Sequence, residues 1–403
     1  MTSQVPGAGK TAGSAAKRLR IAVLNRTFST TGGGAERYSI ALVEQLAARH
    51  EVHVFAQDID HVWPGVEYHK VSSPLLKPRW INQLWFASCT WLLTRKGFDI
   101  VHSHENTWHG NVQTVHVLPV KYNLFKQPKG WLFFVNLIKT VTSLRLLVYL
   151  GLEHFRYSAH FGKKIVVTSE SLGSIVGATY PACKEMISVI TPGVTMPLLP
   201  VTVAGKKAAL AHLGLSTDGH WILFVANDFR KKGLDALLKA LALCPKNFKL
   251  VVVGNNLHQV LYAEQVKKLN LGDQVFFIGK LKDMSSAYAA VDCLAHPTLE
   301  DTFAMVVLEA MSYGLPVVVS GERYCGVSSS LQHGVNAWIV DDPTDVDGLH
   351  DALEAVVIWC KFDSELRLSA KEFAVRYQWS DLATAQEAIY ASLMSVKPSN
   401  RVY

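Results

Sequence analysis

The chain has 403 residues, 49% of them apolar and 18% charged, so it is long enough for two or more domains with their own cores and too apolar to stay disordered. Its formal net charge of +7 is unevenly held: residues 1–200 carry 21 Lys and Arg against 11 Asp and Glu, and the remainder carries 19 against 22. A basic first half points to an anionic partner such as phospholipid or a phosphorylated acceptor, while the lack of an arginine-rich or aromatic-basic reading surface argues against nucleic acid.

Residues Met1–Lys17 are rich in Gly, Ala, Ser and Lys without an apolar core segment, and read as a disordered tail with no secretory signal. A buried strand at 19–24 is followed by a turn-rich loop, Asn25 to Gly34, and by helical spacing over Ala35–Ala48. A second strand, Val52–Ala56, completes a strand, glycine loop, helix, strand opening of a doubly wound domain, with further parallel strands at Ile100-Val101 and Ile165–Thr168. The proline-rich stretch from Pro192 to Gly219 reads as an interdomain hinge. The pattern then restarts: strands at Trp221–Val225, Lys249–Gly254, Gln274–Ile278 and Cys293–His296 alternate with helices near Leu234–Leu243, Val260–Leu269 and Ser285–Ala290. Two tail helices, about Asp363–Arg376 and Trp379–Leu393, have no strand after them and are expected to pack back across the domains.

The expected fold class is therefore α/β, with two doubly wound Rossmann-like domains facing a cleft. The divisions are a tail at 1–18, a first domain at 19–195, a linker at 196–219, a second domain at 220–380, and a terminal helix and tail at 381–403. No run of about eighteen uncharged apolar residues occurs, which argues against a transmembrane helix. The six cysteines are scattered and form no C-x-x-C pair, which fits reduced thiols in a cytoplasmic protein.

One stretch is the most informative. From Thr302 to Gly321 the only charged side chain is Glu309, set among Val, Leu, Met and Ala. Burying a carboxylate there requires donors. They are supplied either by neighbouring protein groups or by ligand hydroxyls. The helix start near Ala304 would offer backbone N–H groups and a positive dipole end to phosphates. Asp228-Phe229-Arg230-Lys231-Lys232-Gly233 places three cations at another helix N-terminus, where the dipole disfavours them unless an anion binds or solvent screens them. Thr31-Gly32-Gly33-Gly34-Ala35-Glu36 lets a backbone approach a ligand closely, although it is neither G-x-G-x-x-G nor a P-loop and a plain turn fits as well.

His102, His104, His109 and His116 raise the question of a metal, but only Glu105 stands near as a further ligand, and no metal site is expected among them. His116 reads equally as a core histidine or a catalytic one. The D-x-D pairs Asp58–Asp60 and Asp345–Asp347 are too short a pattern to be specific. Apolar, aromatic segments at Trp80–Thr94 and Trp131–Leu152 are edged by Lys77, Arg79, Arg95, Lys96, Lys129, Lys139 and Arg145. Such helices either pack on the sheet or lie on an anionic bilayer surface.

In this order, Gly32-Gly33-Gly34-Ala35-Glu36-Arg37, Val189–Val194, Lys231-Lys232-Gly233 and Asp301 to Pro316 resemble a retaining glycosyltransferase of the GT-B fold, family 4, over about residues 19–390. Asp301 and Glu309 resemble the family's pair of acids separated by seven residues, with Asp in place of the first Glu. The resemblance implies that Asp301, or Glu300 beside it, holds donor-sugar hydroxyls and Glu309 the ribose. Thr302 and the backbone of Phe303, Ala304 and Met305 would line the sugar and phosphates. Lys232 would stabilise the departing diphosphate. The family arginine seven residues before Gly233 is replaced by Ala226, leaving Arg230 or Lys231 to supply the second charge. His116 would stand near the reacting carbon, and Gly33 and Gly34 would admit acceptor and diphosphate.

The resemblance implies a nucleoside-diphosphate sugar as donor, a UDP-sugar ahead of a GDP-sugar, with no cofactor and no metal. The acceptor would be a glycolipid or oligosaccharide, as in lipopolysaccharide or other envelope glycan synthesis, with peripheral contact on the cytoplasmic face of the inner membrane. Two other readings stay open: a sugar-nucleotide epimerase or metal-dependent hydrolase, and a non-catalytic scaffold that keeps the fold without the chemistry.

Overall fold

A computed structural model describes residues 18–30, 32–75, 77–125, 131–160, 162–255, 259–359 and 365–395. The expected N-terminal tail (residues 1–17), Thr31, Lys129, Cys360 and the last eight residues lie outside them.

The apolar runs form two parallel sheets. In the first, the strands run from edge to edge as Val66–Lys70, Glu51–Ala56, Arg20–Leu24, Ile100–Ser103, Val112–Val115, Lys164–Val167 and Ile187–Val189. In the second the order is Val275–Gly279, Phe248–Gly254, His220–Ala226, Cys293–His296, Val317–Ser320 and Trp338–Val340. Their pairs are all parallel. Helices cover both faces, which is why the strands read as continuous apolar segments.

In each sheet the chain order reverses beside the first strand, Arg20–Leu24 or His220–Ala226. Ligands of open α/β sheets bind beyond the carboxyl ends of strands at that switch point. The glycine loop follows Arg20–Leu24, the basic loop follows His220–Ala226, and the acidic loop follows Cys293–His296. The topology therefore turns three separate sequence signals toward one cleft.

The chain crosses between domains twice, and the crossings touch. Val194 N donates to Tyr377 O (2.8 Å), and Val194 bridges to Gln378. A Cβ on Gly193 would stand 2.7 Å from Trp379 N, so this close approach needs glycine. The last helix, Trp379–Met394, buries Leu382, Ala383, Ile389, Tyr390 and Leu393 against the first domain's strands and its helix Gly34–Ala47. Within the core, Tyr390 OH meets His102 Nδ1 at 2.7 Å.

Residues 196–219 differ from a plain linker. They contain the helix Val203–His212, in which Thr202 Oγ1 accepts from Gly205 N (3.0 Å) and buried Ala209 and Leu210 join the second domain's core. Gly205, taken from the sequence as a hinge signal, is the third residue of a capped helix.

Candidate active site

The helix Met305–Ser312 begins at Ala304, whose φ of 73° is left-handed for a residue with a Cβ. Such strain survives only when surrounding bonds over-determine the turn. Here Asp301 Oδ1 accepts from Phe303 N (3.2 Å) and Ala304 N (2.8 Å), while Val327 N donates to Phe303 O (2.9 Å). Asp301 Oδ2 in turn accepts from Lys232 Nζ (2.6 Å) and His296 Nε2 (3.1 Å). Burial would raise the Asp301 carboxyl, but Lys232 and His296 outweigh it and hold the group well below the usual aspartate range. His296 is itself lowered, chiefly by burial, so the neutral ring donates from Nε2.

Asp301 thus differs from the expected sugar-holding group. Both of its oxygens are committed to protein donors, and it acts on the cleft by fixing Lys232 and the helix start. Of the two acids weighed for the sugar, Glu300 has the freer side chain, 30% exposed, with one contact to Lys231 Nζ at 3.1 Å.

Lys232 also donates to Glu300 O (2.9 Å), which aims its ammonium along the acidic loop. The two loops are stitched by Leu299 N donating to Lys231 O (2.8 Å). Gly233, at φ +80°, lets them meet, since a Cβ there would lie 1.9 Å from Pro297 O. Arg230 is exposed and, among the described residues, has no ion-pair partner within 4.0 Å. Ala226 ends its strand buried, with its carbonyl accepting from Asn255 N.

Opposite these loops, Gly33 N donates to Glu36 Oε2 (2.9 Å), ordering the glycine turn. A Cβ on Gly33 would approach Asn227 Nδ2 to 3.7 Å, and one on Gly34 would approach Met305 Sδ to 3.4 Å. The glycine loop therefore faces both the basic loop and the start of the Met305–Ser312 helix. Thr302, read as a donor contact, is a strut between domains: its hydroxyl donates to His116 O (2.7 Å), and its carbonyl accepts from Ser169 Oγ (2.6 Å).

His116 Nε2 lies 3.0 Å from His104 Nδ1, and its ring meets Tyr38 edge-on. Burial, and secondarily the Arg156 charge, press its pKa down to about 3. His102 is held by Tyr390 and by Thr114 Oγ1 (2.6 Å) and is likewise pressed to about 3 by burial. The rings are stacked, buried His102 on buried His104 and His104 on the half-buried His116.

Glu309 has the most consequential surroundings. It is 18% exposed and lines a cleft cavity of about 330 Å³ with Arg37, Tyr288, Met305, Gly193 and Trp379. Arg37 Nη1 from the first domain donates to Glu309 Oε1 (2.9 Å) and Oε2 (3.3 Å), and Tyr288 OH donates to Oε2 (2.5 Å). Glu309 raises the Arg37 pKa, while burial followed by Glu309 raises that of Tyr288. The expected solitary acid opens on the cleft, but protein donors already meet it. Sequence reasoning gave no role to Arg37, Tyr288, Ser169 or His296. The only available signal was Arg37, a cation in the first turn of a helix, where the dipole disfavours it.

Two family models divide the chain: Glycosyltransferase Family 4 matches residues 32–196 and Glycosyl transferases group 1 matches residues 206–372. D-inositol 3-phosphate glycosyltransferase of Xylanimonas cellulosilytica is 27% identical over 55% of this chain and 54% of its own. Lipopolysaccharide glucosyltransferase WaaG of Escherichia coli is 29% identical over 41% of this chain and 43% of its own. The chain thus spans about half the length of the curated relatives it matches. Among solved structures, that of WaaG, a glycosyltransferase involved in lipopolysaccharide biosynthesis, superposes with a TM-score of 0.78 at 21% identity, covering 92% of this chain and 99% of WaaG. HepE of Anabaena in complex with UDP and glucose gives 0.70 at 18%, covering 94% and 100%. At these identities the structural likeness is one of fold.

Proposed function

We propose that the chain, which has the GT-B fold and matches the Glycosyltransferase Family 4 model over its first half and the Glycosyl transferases group 1 model over its second, transfers a sugar from a nucleoside-diphosphate sugar to a glycolipid or oligosaccharide acceptor. The observation that carries this reading is that the two ends of one helix region meet the other signals: Glu309 and Met305 line the interdomain cavity, the glycine loop approaches Met305, and Asp301 ties Lys232 to the helix start. We assign Glu309 to the two ribose hydroxyls, which it would accept once Arg37 moves off, with Tyr288 still on Oε2. Lys232, with its Nζ fixed by Asp301 and Glu300 O, is preorganised for the charge that grows on the departing diphosphate. The amides at the start of Met305–Ser312 add to that stabilisation.

In the reaction, the bond from the anomeric carbon to the β-phosphate oxygen breaks and a bond to the acceptor oxygen forms. The acceptor proton passes to the leaving phosphate. We assign retention of anomeric configuration through front-face attack, and no catalytic metal, since Lys232 and the backbone amides occupy the electrophilic role. His116, neutral at pH 7, lies at the first domain's edge with its carbonyl on Thr302, close to where the sugar carbon would stand. A UDP-sugar is favoured over a GDP-sugar, in keeping with the UDP bound by HepE.

A membrane-borne acceptor is supported by the first domain's surface. The helices Trp131–Thr142 and Leu144–Arg156 expose Trp131, Ile138, Val141 and Leu144, each more than half accessible, beside Lys139 and Arg145. Leu84, Trp108, Val148, Leu152 and Phe155 line an apolar depression next to them. Among the described residues no single helix is long and apolar enough to cross a membrane; the two helices pass such a test only together, across a 94° bend. We assign this face to peripheral contact with an anionic bilayer on its cytoplasmic side.

A second reading is a scaffold without turnover, favoured by the full engagement of Asp301 and by Arg37 on Glu309. Incubation with UDP-, GDP- and ADP-sugars and a membrane lipid extract separates the two. Acceptor-dependent nucleotide release with a glycosylated lipid product supports the transferase, and NMR of that product reads its anomeric configuration. No release from any donor, with extract present, supports the scaffold.

A further inference from the structure

Far from the cleft, at the edge of the first sheet, two histidines and a glutamate point at one another. In the parallel register His53 lies opposite Glu67, and Phe55 opposite His69, which places His53, Glu67 and His69 on one face. His53 Nδ1 is 3.0 Å from His69 Nε2. The Glu67 carboxylate straddles them, Oε2 at 3.4 Å from His53 Nδ1 and Oε1 at 3.4 Å from His69 Nε2. None of the three lines the cleft cavity.

We propose that His53, His69 and Glu67 form a binding site for a divalent transition-metal ion of the zinc class. With metal–ligand distances of about 2.0–2.1 Å, the edges of a tetrahedral site are roughly 3.3–3.4 Å long. Here the two ring nitrogens stand 3.0 Å apart and each lies 3.4 Å from one oxygen of the exposed Glu67, spacings close to such edges. Two imidazoles and a carboxylate suit zinc and its neighbours and do not suit calcium or magnesium.

The far side of the site carries the second signal. His53 Nε2 faces Glu51 Oε1 at 2.9 Å, so the ring's remaining proton is held by a carboxylate and Nδ1 is presented to a metal. Glu51 is steadied by Arg20 Nε at 2.8 Å, which offsets its charge. That same Nε lies 3.3 Å from His53 Nε2 and is the nearest opposing cation. His53 is buried against Phe98 and His69 is stacked on Phe55, so both rings are fixed before any ion arrives. Without metal, one proton between the facing nitrogens satisfies the pair. On binding, His69 would carry that proton on Nδ1 instead, and the ion would take its place at Nε2. The ion would then cross-link the paired strands Glu51–Ala56 and Val66–Lys70 at the edge of the first sheet.

The test uses the untagged full chain, stripped with a chelator and titrated calorimetrically with zinc, and separately with cobalt(II) followed by its visible absorption. Wild type is expected to bind one equivalent of zinc and to give tetrahedral cobalt bands. His69→Ala and Glu67→Ala, both at solvent-accessible positions, are each expected to weaken zinc binding by at least roughly tenfold. Circular dichroism verifies that both variants are folded. An absence of stoichiometric binding by wild type, or unchanged affinity in both variants, overturns the assignment. Donor binding in the cleft is measured on the same samples, so failure here leaves the transferase reading untouched.

Discussion

Arg37 and Glu309 are 272 positions apart and belong to opposite domains, yet they form the ion pair that closes the cleft, at 2.9 Å. The carboxylate proposed to bind the ribose is thus covered by a cation that the donor must displace. Both side chains line the same cavity, so an Arg37 displaced from Glu309 would stay within reach of the ligand.

Removing the competitor tightens ligand binding. The pair is partly exposed, 33% on Arg37 and 18% on Glu309, which limits its worth to about 0.5–1 kcal/mol. Arg37→Met is therefore expected to strengthen uridine binding roughly 2- to 5-fold by isothermal titration. Uridine lacks the diphosphate, so the measurement reads the lock alone. Weaker uridine binding in the variant would count against the lock.

Lys232 bears on turnover more than on binding. Its ammonium is held by Asp301 Oδ2 and Glu300 O, as preorganised stabilisation requires. Lys232→Ala is expected to lower kcat by roughly 100- to 1,000-fold, the usual effect of losing one such donor. Steady-state kinetics with the cognate donor would show a much smaller change in KM.

The histidine stack makes the first domain acid-sensitive. His102 and His116 have folded pKa values of about 3, against about 6.5 in the unfolded chain. Between those values the unfolded state binds more protons, so stability is fully present above pH 6.5 and falls as pH drops toward 3. For the fully buried His102 the loss at pH 5 is on the order of 2 kcal/mol. Urea midpoints at pH 7 and pH 5 measure it, and His102→Asn is expected to remove that share of the difference while His116 keeps its own.

The apolar face predicts a separable membrane function. Trp131→Asp combined with Ile138→Asp is expected to abolish cosedimentation with phosphatidylglycerol vesicles while uridine diphosphate still binds. Equal sedimentation of the double variant and wild type would remove this face from the account.

Much of the architecture was legible because it is locally encoded. Glycine turns, apolar strands and helical spacing specify the two sheets within windows of a few residues, and the helix Leu234–Leu243 fell where its spacing placed it. The linker helix was hidden because Thr202 and Gly205 look like loop residues unless the cap between them is seen. The site was half legible. Glu309 stands out as one charge in an apolar segment, and Lys232 as part of a basic loop at a helix start. Their partners do not stand out. Arg37, Ser169 and His296 reach the site through tertiary contacts that no periodicity records. Asp301 was read through its position in a motif, and only its four bonds reveal a brace for Lys232 and the strained Ala304 turn.

The central claim is that Glu309 receives the nucleotide's ribose in the interdomain cleft. Calorimetric titration of uridine diphosphate into wild type and Glu309→Ala tests it most directly. The account predicts saturable one-site binding to wild type and at least roughly a tenfold loss in the variant, as expected when a charged acceptor of two hydroxyls is removed. Equal affinity in the two proteins, with both folded, would contradict it.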